Sequence, residues 1–195
     1  MYVSMPGRDT GEVRRDTARN RQALIAAARQ VFEAQGIDAP LETIADAAGL
    51  SRTSLHRHFS SRADLLAAIW AGDVAETEAD AERFAQHPDA FVRLFDATMA
   101  QQIDRRSIHP RGTQVDSPEI ADLAARFLAA VERAARVSRE AGVLRAEIGD
   151  AAAARALGMA IMAVWTPADR DGRVRVAAEV RDILLRGMLA DPVAL

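Results

Sequence analysis

Residues 41–59, LETIADAAGLSRTSLHRHF, constrain the fold of this chain more than any other segment. The first half carries apolar residues at helical spacing, at Leu41, Ile44 and Ala48, which predicts a short helix with one buried face. Gly49 follows where a helix commonly ends in a left-handed residue. The second half is largely polar. The segment therefore predicts two short helices joined by a tight turn.

The second of these helices is expected to begin after Ser51, a good N-cap residue, and to end near Phe59. Leu55 and Phe59 are four positions apart and are predicted to face inward. The remaining side chains form a polar outer face: Arg52, Thr53, Ser54, His56, Arg57 and His58. This layout is typical of a helix-turn-helix, whose second helix lies in the major groove of duplex DNA.

The outer face offers several kinds of DNA contact. An arginine can bond guanine bidentately, and Thr53 can offer its hydroxyl to a base or its methyl to thymine. Ser54, His56 and His58 are better suited to donate to phosphates. The wider set of predicted DNA contacts also includes Arg14, Arg15, Thr43, Ser51 and Arg62. The alternative is a plain α-hairpin whose polar face is only solvated, and for Arg14 and Arg15 a solvated role is equally open.

This part of the chain resembles the TetR family of one-component transcriptional regulators. The matching residues are Val31-Phe32, Gly36, Ile44-Ala45, Ala48-Gly49, Ser51, Ser54-Leu55, His58-Phe59 and Leu65. The resemblance covers about residues 14–70, with spacing and residue type agreeing over three helices. Thr53, His56 and Arg62 stand where the family usually has glycine, tyrosine and lysine. These departures concern the individual operator contacts rather than the class of binding.

The whole chain is predicted to be all-α, because alanine, the best helix former, is very abundant and no alternating β pattern occurs. About nine helices are expected. We expect residues 1–13 to form a disordered arm and residues 14–62 to form the helix-turn-helix domain. Residues 63–195 are assigned to ligand binding and dimerisation, as the resemblance implies.

Bulky apolar side chains of the second domain could line a cavity for a small hydrophobic effector, which the resemblance also implies. The candidates are Trp70, Phe84, Phe91, Phe95, Met99, Phe127 and Met162. Asp96, Gln101, Gln102, Arg105 and His109 are polar candidates without a predicted position. Simple packing in the core is the competing interpretation for each apolar residue.

The segment 151–165, AAAARALGMAIMAVW, is apolar nearly all round and must be covered on more than one side. The resemblance implies a two-fold homodimer through the last two helices. The candidate interface residues are Leu157, Ile161, Val164, Trp165, Val180, Leu184 and Met188. A buried core helix of a monomer is the alternative.

Composition narrows the function further. Cysteine is absent, and no metal-binding, nucleophilic or phosphate-binding motif occurs, so we expect no metal, no cofactor and no catalysis. No apolar run is long enough to span a membrane.

The net charge is −3, yet residues 1–62 carry nine arginines against seven acidic residues. We therefore predict a cytoplasmic DNA-binding regulator, most simply a repressor released by an effector. The alternative is a ligand-binding or adaptor protein with a vestigial helix-turn-helix.

Overall fold

The structure, a computed structural model, describes residues 10–104, 118–167 and 169–191. These residues form eight helices and no strand, which confirms the all-α prediction. In chain order the helices are α1 (Thr10–Gln35), α2 (Leu41–Ala47), α3 (Arg52–His58), α4 (Arg62–Phe84), α5 (Ala90–Asp104), α6 (Pro118–Glu140), α7 (Asp150–Val164) and α8 (Arg170–Met188).

Two parts of the sequence-based prediction fall at the edges of the described residues. Helix α1 begins at Thr10, four residues before the predicted start at Arg14, so residues 10–13 are helical rather than part of an arm. Residues 1–9 of the expected arm lie outside the described residues. The same holds for residues 105–117, which include the polar candidates Arg105 and His109.

The chain separates into two compact units, and the division falls within α4, between Ile69 and Trp70. The first unit contains α1, α2, α3 and the beginning of α4. Its core is formed by side chains that are almost completely buried: Leu24, Ala28, Phe32, Ile44, Leu55, Phe59, Leu65, Leu66 and Ile69. Every helix of the unit contributes, so the orientation of the short α3 depends on packing rather than on its own helical propensity.

Two glycines turn the chain between the helices of the first unit. Gly36 ends α1 with φ of +85°, and Gly49 joins α2 to α3 with φ of +66°. Left-handed backbone of this kind favours glycine because it has no Cβ. The Gly36 N–H donates to the Phe32 carbonyl at 2.9 Å, and the Leu50 N–H donates to the Ala45 carbonyl at 2.9 Å. Both helix ends are therefore satisfied as the glycine positions predict.

The second unit contains the rest of α4 and helices α5 to α8. In its core, Phe91 and Phe95 of α5 lie side by side with ring centroids 6.2 Å apart. The buried Ser138 hydroxyl of α6 accepts a hydrogen bond from the Phe91 N–H at 2.9 Å, which satisfies a donor in the first turn of α5. None of the helices in the described residues has the length and apolar character that membrane crossing requires.

Candidate nucleic-acid interface and effector cavity

The short helix α3 has a buried face and an exposed polar face. Leu55 and Phe59 are almost completely buried, while Arg52, Thr53, His56 and Arg57 are exposed. Ser51 is the N-cap residue, and its hydroxyl accepts from the Ser54 N–H at 3.1 Å. The cap occupies one lone pair of Ser51, yet the exposed hydroxyl remains able to donate to a phosphate. The fold thus fixes α3 by its apolar side and leaves its polar side open.

The two arginines of α3 differ in their interactions with the rest of the protein. Arg52 is paired with Glu42 of α2 at 2.9 Å, and its Nε lies 3.4 Å from Nε2 of His56. Arg57 is exposed and makes no hydrogen bond or ion pair with the described residues. Thr53 lies four residues before Arg57, so the two share one face of the helix. The uncommitted guanidinium of Arg57 is therefore the stronger candidate for a base or phosphate contact.

Arg62, another predicted DNA contact, is committed within the protein. Its guanidinium donates to the carbonyl oxygens of Ile37 and, at 2.7 Å, of Ala39. The same group lies 5.8 Å from the centre of the Phe32 ring. Arg62 therefore links the beginning of α4 to the connection between α1 and α2, and its charge is directed inward.

Ser60, Ser61 and Asp64 fix the junction between α3 and α4. The Asp64 carboxylate accepts from the backbone N–H groups of Ser60 and Ser61 at 3.0 and 3.1 Å, and also from the Ser60 hydroxyl. In return, the Asp64 N–H donates to the Ser61 hydroxyl at 3.1 Å. This reciprocal arrangement is a capping box, with Asp64 three residues after Ser61. The Ser60 and Ser61 hydrogen bonds lower the pKa of Asp64 below its ordinary value of 3.8.

The remaining predicted contacts lie on other parts of the first unit. Arg14 and Arg15 are exposed on α1, and Thr43 is half-buried in α2. His58 is half-buried, with its ring centroid 6.5 Å from that of Phe59. Among the described residues, none of these four side chains makes hydrogen bonds comparable to those of Arg62 with the Ile37 and Ala39 carbonyls.

The second unit contains a cavity of about 250 Å³. Its walls are mostly apolar and come from α4, α5, α6 and α7. In chain order, the lining residues are Trp70, Asp73, Val74, Thr77, Gln101, Gln102, Ala124, Phe127, Leu128, Gly158, Ile161, Met162 and Trp165. A concave, largely apolar site with a few polar groups is the usual form of a small-molecule site.

The structure brings three predicted ligand-binding residues together around this cavity: Trp70, Phe127 and Met162. It does not bring the other four there. Phe91 and Phe95 are completely buried in the core, Met99 is 4% exposed, and Phe84 packs against the same core from its edge. The reason is that these residues lie on the core-facing side of their helices.

Several lining residues are absent from the sequence-based set, and one signal could have found some of them. Asp73 and Thr77 of α4 are polar yet 9% and 3% exposed, on the same side of the helix as Trp70 and Val74. Polar residues at helical spacing within an apolar face indicate a cavity rather than a plain core. Asp96, by contrast, lies away from the cavity and forms a bidentate ion pair with Arg181 at 2.6 and 3.0 Å.

Gln102 and Trp165 join α5 to the end of α7 beside the cavity. The indole Nε1–H of Trp165 donates to the side-chain oxygen of Gln102 at 2.8 Å. Gln102 is only 6% exposed. Because an indole N–H can only donate, the amide oxygen of Gln102 must face Trp165, and its NH₂ group must point elsewhere.

The predicted dimer residues divide into three groups. Leu157 and Val164 are completely buried within one chain, and Met188 is 7% exposed, so they pack in the core of their own unit. Ile161 and Trp165 line the cavity, whereas Val180 and Leu184 are half-buried on α8. The apolar side chains that α7 and α8 leave most exposed are Met159, at 60%, and Ile183, at 69%. Periodicity alone did not separate the inner from the outer side of these alanine-rich helices.

No group of three or more His, Asp or Glu side chains lies together within the ranges that the structure describes. The pairs and clusters that do occur there join carboxylates to arginines, as in the bidentate pair of Arg126 with Glu78 at 3.0 and 2.6 Å.

The first unit matches a known protein family. Residues 24–69 match the family described as bacterial regulatory proteins, tetR family. The match covers the later part of α1, all of α2 and α3, and α4 as far as the boundary between the two units. No curated protein sequence matches the chain.

Solved structures share the fold over most of the chain. SmeT, whose structure is also described as the repressor of a multidrug efflux pump of Stenotrophomonas maltophilia, was solved with triclosan. It is 23% identical, with a TM-score of 0.65 over 88% of this chain and 92% of SmeT. GusR of Salmonella enterica is 22% identical, with a TM-score of 0.65 over 88% and 96%. A γ-butyrolactone receptor is 18% identical, with a TM-score of 0.62 over 89% and 90%. Residues 24–69 thus match the tetR family of bacterial regulatory proteins, and the chain as a whole shares the fold of these solved structures.

Proposed function

We propose that this protein is a homodimeric repressor that binds an operator through α3 and leaves it when a small, largely apolar molecule occupies the cavity of the second unit. The observation that carries the proposal is that α3 is anchored by its apolar side and exposes its polar side. This helix is held by Leu55 and Phe59 and presents Thr53 and the unpaired Arg57 to solvent. Such a protein acts where the chromosome lies, in the cytoplasm.

The cavity supports the regulatory half of the proposal. Its walls come from four helices, and α4 is one continuous helix that supplies Leu65 and Ile69 to the first core and Trp70 and Val74 to the cavity. A ligand that prefers one arrangement of α4 would shift the population of that arrangement. Linkage requires operator DNA to weaken ligand binding by the same factor as the ligand weakens DNA binding.

The exposed faces of α7 and α8 support the homodimer. Ile183 of α8 and Met159 of α7 are exposed, whereas Val176 and Val180, at helical spacing from Ile183, are half-buried and pack partly against the chain's own core. Burying these side chains against a second copy would form a four-helix interface. A two-fold dimer places two recognition helices roughly 34–36 Å apart, which matches successive major grooves.

The proposal is tested by titrating the protein against the DNA upstream of its own gene, with scrambled DNA as competitor and at two salt concentrations. We expect specific binding that weakens as salt rises, because phosphate contacts release counterions. Arg57→Ala should weaken operator binding by about tenfold or more, as loss of a good arginine contact does. Arg175→Ala removes an equally exposed arginine from α8 and serves as the charge-matched control.

Two results would contradict the proposal. If the protein binds neither the upstream DNA nor random genomic fragments at low salt, α3 does not contact DNA. If Arg57→Ala and Arg175→Ala leave the same operator affinity, the exposed row of α3 is not the contact surface. A saturating cavity ligand that leaves operator affinity unchanged would remove the regulatory half alone.

A further inference from the structure

The amide group of Gln102 is the feature of the cavity that most restricts its ligand. Its oxygen accepts a hydrogen bond from the Trp165 indole N–H at 2.8 Å. Within the described residues its NH₂ group has no hydrogen-bond partner. The side chain is 6% exposed and lines the cavity. A buried donor without a partner costs free energy, which a ligand oxygen placed against it would recover.

The other polar lining groups are engaged differently. The Thr77 hydroxyl donates to the Asp73 carbonyl within α4 at 3.0 Å, and Asp73 has further interactions with the chain. Gln101 is half-buried, so solvent can satisfy its amide. Gln102 is therefore the polar group of the cavity whose donors are both buried and available.

We infer that the cavity selects an apolar ligand that carries a hydrogen-bond acceptor of the carbonyl type and no charge, held by the NH₂ group of Gln102. This inference rests on the proposed function for its biological meaning and adds the chemical class of the effector. The apolar body of the ligand is enclosed by Phe127, Ile161 and the two indoles, Trp70 and Trp165. Trp165 acts as a positioning residue, because its N–H determines which end of the Gln102 amide the ligand meets.

The test uses three probes that share one diaryl body and differ only in the bridging group. Benzophenone carries an acceptor, diphenylamine a donor, and diphenylmethane neither. Affinities are measured by isothermal titration calorimetry on the full chain. We expect benzophenone to bind about tenfold more tightly than diphenylmethane, the worth of one buried neutral hydrogen bond. Diphenylamine should gain nothing over diphenylmethane.

Gln102→Met keeps the length of the side chain and removes its donors, so the preference for benzophenone should fall to about onefold. Gln86→Met, at an exposed glutamine that does not line the cavity, is the matched control and should retain the preference. In the ¹H–¹⁵N spectrum, benzophenone should shift the side-chain amide signals that Gln102→Met removes. This readout reports the hydrogen bond independently of the affinity.

Trp165→Phe keeps an aromatic ring and removes the N–H that fixes the amide. The Gln102 amide is then free to rotate and present its oxygen, so diphenylamine should gain affinity relative to diphenylmethane. Because this variant predicts a gain of binding, misfolding cannot imitate the expected result.

The inference is overturned if wild type binds benzophenone and diphenylmethane equally, if it binds neither, or if the preference survives in Gln102→Met. Its failure can be distinguished from failure of the proposed function. A preference that depends on Gln102, together with operator affinity that benzophenone does not change, leaves the ligand class standing and refutes regulation through this cavity.

Discussion

Gly158 gives the sharpest test of the cavity, because stability and binding should respond to its substitution in opposite directions. It lies inside α7 and lines the cavity. A Cβ built at this position meets no heavy atom within 4 Å. Alanine is favoured over glycine in a helix interior by about 0.8–1.0 kcal/mol. Since no contact opposes the added methyl, Gly158→Ala should retain most of that gain.

The expected increase in the free energy of unfolding is therefore about 1 kcal/mol, which raises Tm by roughly 2–4 °C for a chain of this length. Gly172→Ala is the matched comparison within α8. There the new Cβ would lie 2.7 Å from Cβ of Pro167 and 3.1 Å from the Asp169 carboxylate. Gly172 lies in the first turn of α8, where the gain in propensity is smaller than in a helix interior. The clash outweighs this gain, and Tm should fall. Thermal denaturation followed by circular dichroism measures both.

A larger side chain at the same position addresses binding. Gly158→Leu extends into the space that a ligand would fill, so the affinity for benzophenone should fall by at least about tenfold, as expected when ligand contacts worth 1.4 kcal/mol are lost. The reasoning is refuted if Gly158→Ala lowers Tm, because the open space is then absent. It is also refuted if Gly158→Leu folds normally and binds benzophenone with unchanged affinity.

Three further predictions concern stability and assembly. Ser138→Ala leaves the buried Phe91 N–H unsatisfied and should cost about 1–3 kcal/mol in the free energy of unfolding. Thr77→Val removes a similarly buried hydroxyl but leaves no N–H group unsatisfied. It should therefore lower the free energy of unfolding by less in the same denaturation series. Asp64→Ala removes the capping box and should cost about 1 kcal/mol at neutral pH. The folded-state pKa of Asp64 is lowered, so its contribution is present above the ordinary value of 3.8 and is lost as pH falls through the folded value. The difference between wild type and Asp64→Ala should therefore shrink in acid, and a constant difference would contradict the cap. Ile183→Arg places a charge on the proposed dimer face and should give a monomer in analytical ultracentrifugation; an unchanged dimer would exclude that face.

Several helix ends of the first unit and the inner face of α3 are predictable from sequence because local rules determine them. Gly36 and Gly49 mark helix ends, Ser51 caps α3, and the spacing of Leu55 and Phe59 identifies the inner face. Each of these signals acts within a few residues along the chain, so one sequence suffices to detect it.

The cavity is less predictable, because it depends on which side of a helix its neighbours cover. Phe95 and Met99 of α5 look like equally good lining residues in the sequence, yet the structure buries both in the core and brings Gln101 and Gln102 to the cavity instead. The partner of Gln102 is Trp165, 63 positions away. No local pattern reports such a contact.

The ion pairs of the α3 arginines are also not predictable from the sequence, and they affect DNA binding. Arg52 and Arg57 are equivalent in a helical pattern, but Glu42 neutralises the first and leaves the second free. Several arginines of the second unit are likewise paired, as Arg126 is with Glu78. DNA binding depends on where the charges lie as well as on their sum, so the net charge of −3 is a poor guide to it. What matters is the small number of unpaired arginines near α3.

The same arginines determine how DNA affinity depends on salt. Because each neutralised phosphate adds slightly less than one to the slope of log affinity against log salt, few contacts imply a shallow slope. If Arg57 contacts a phosphate rather than a base, its loss from both copies of a dimer should reduce that slope by about two, a large share of the total.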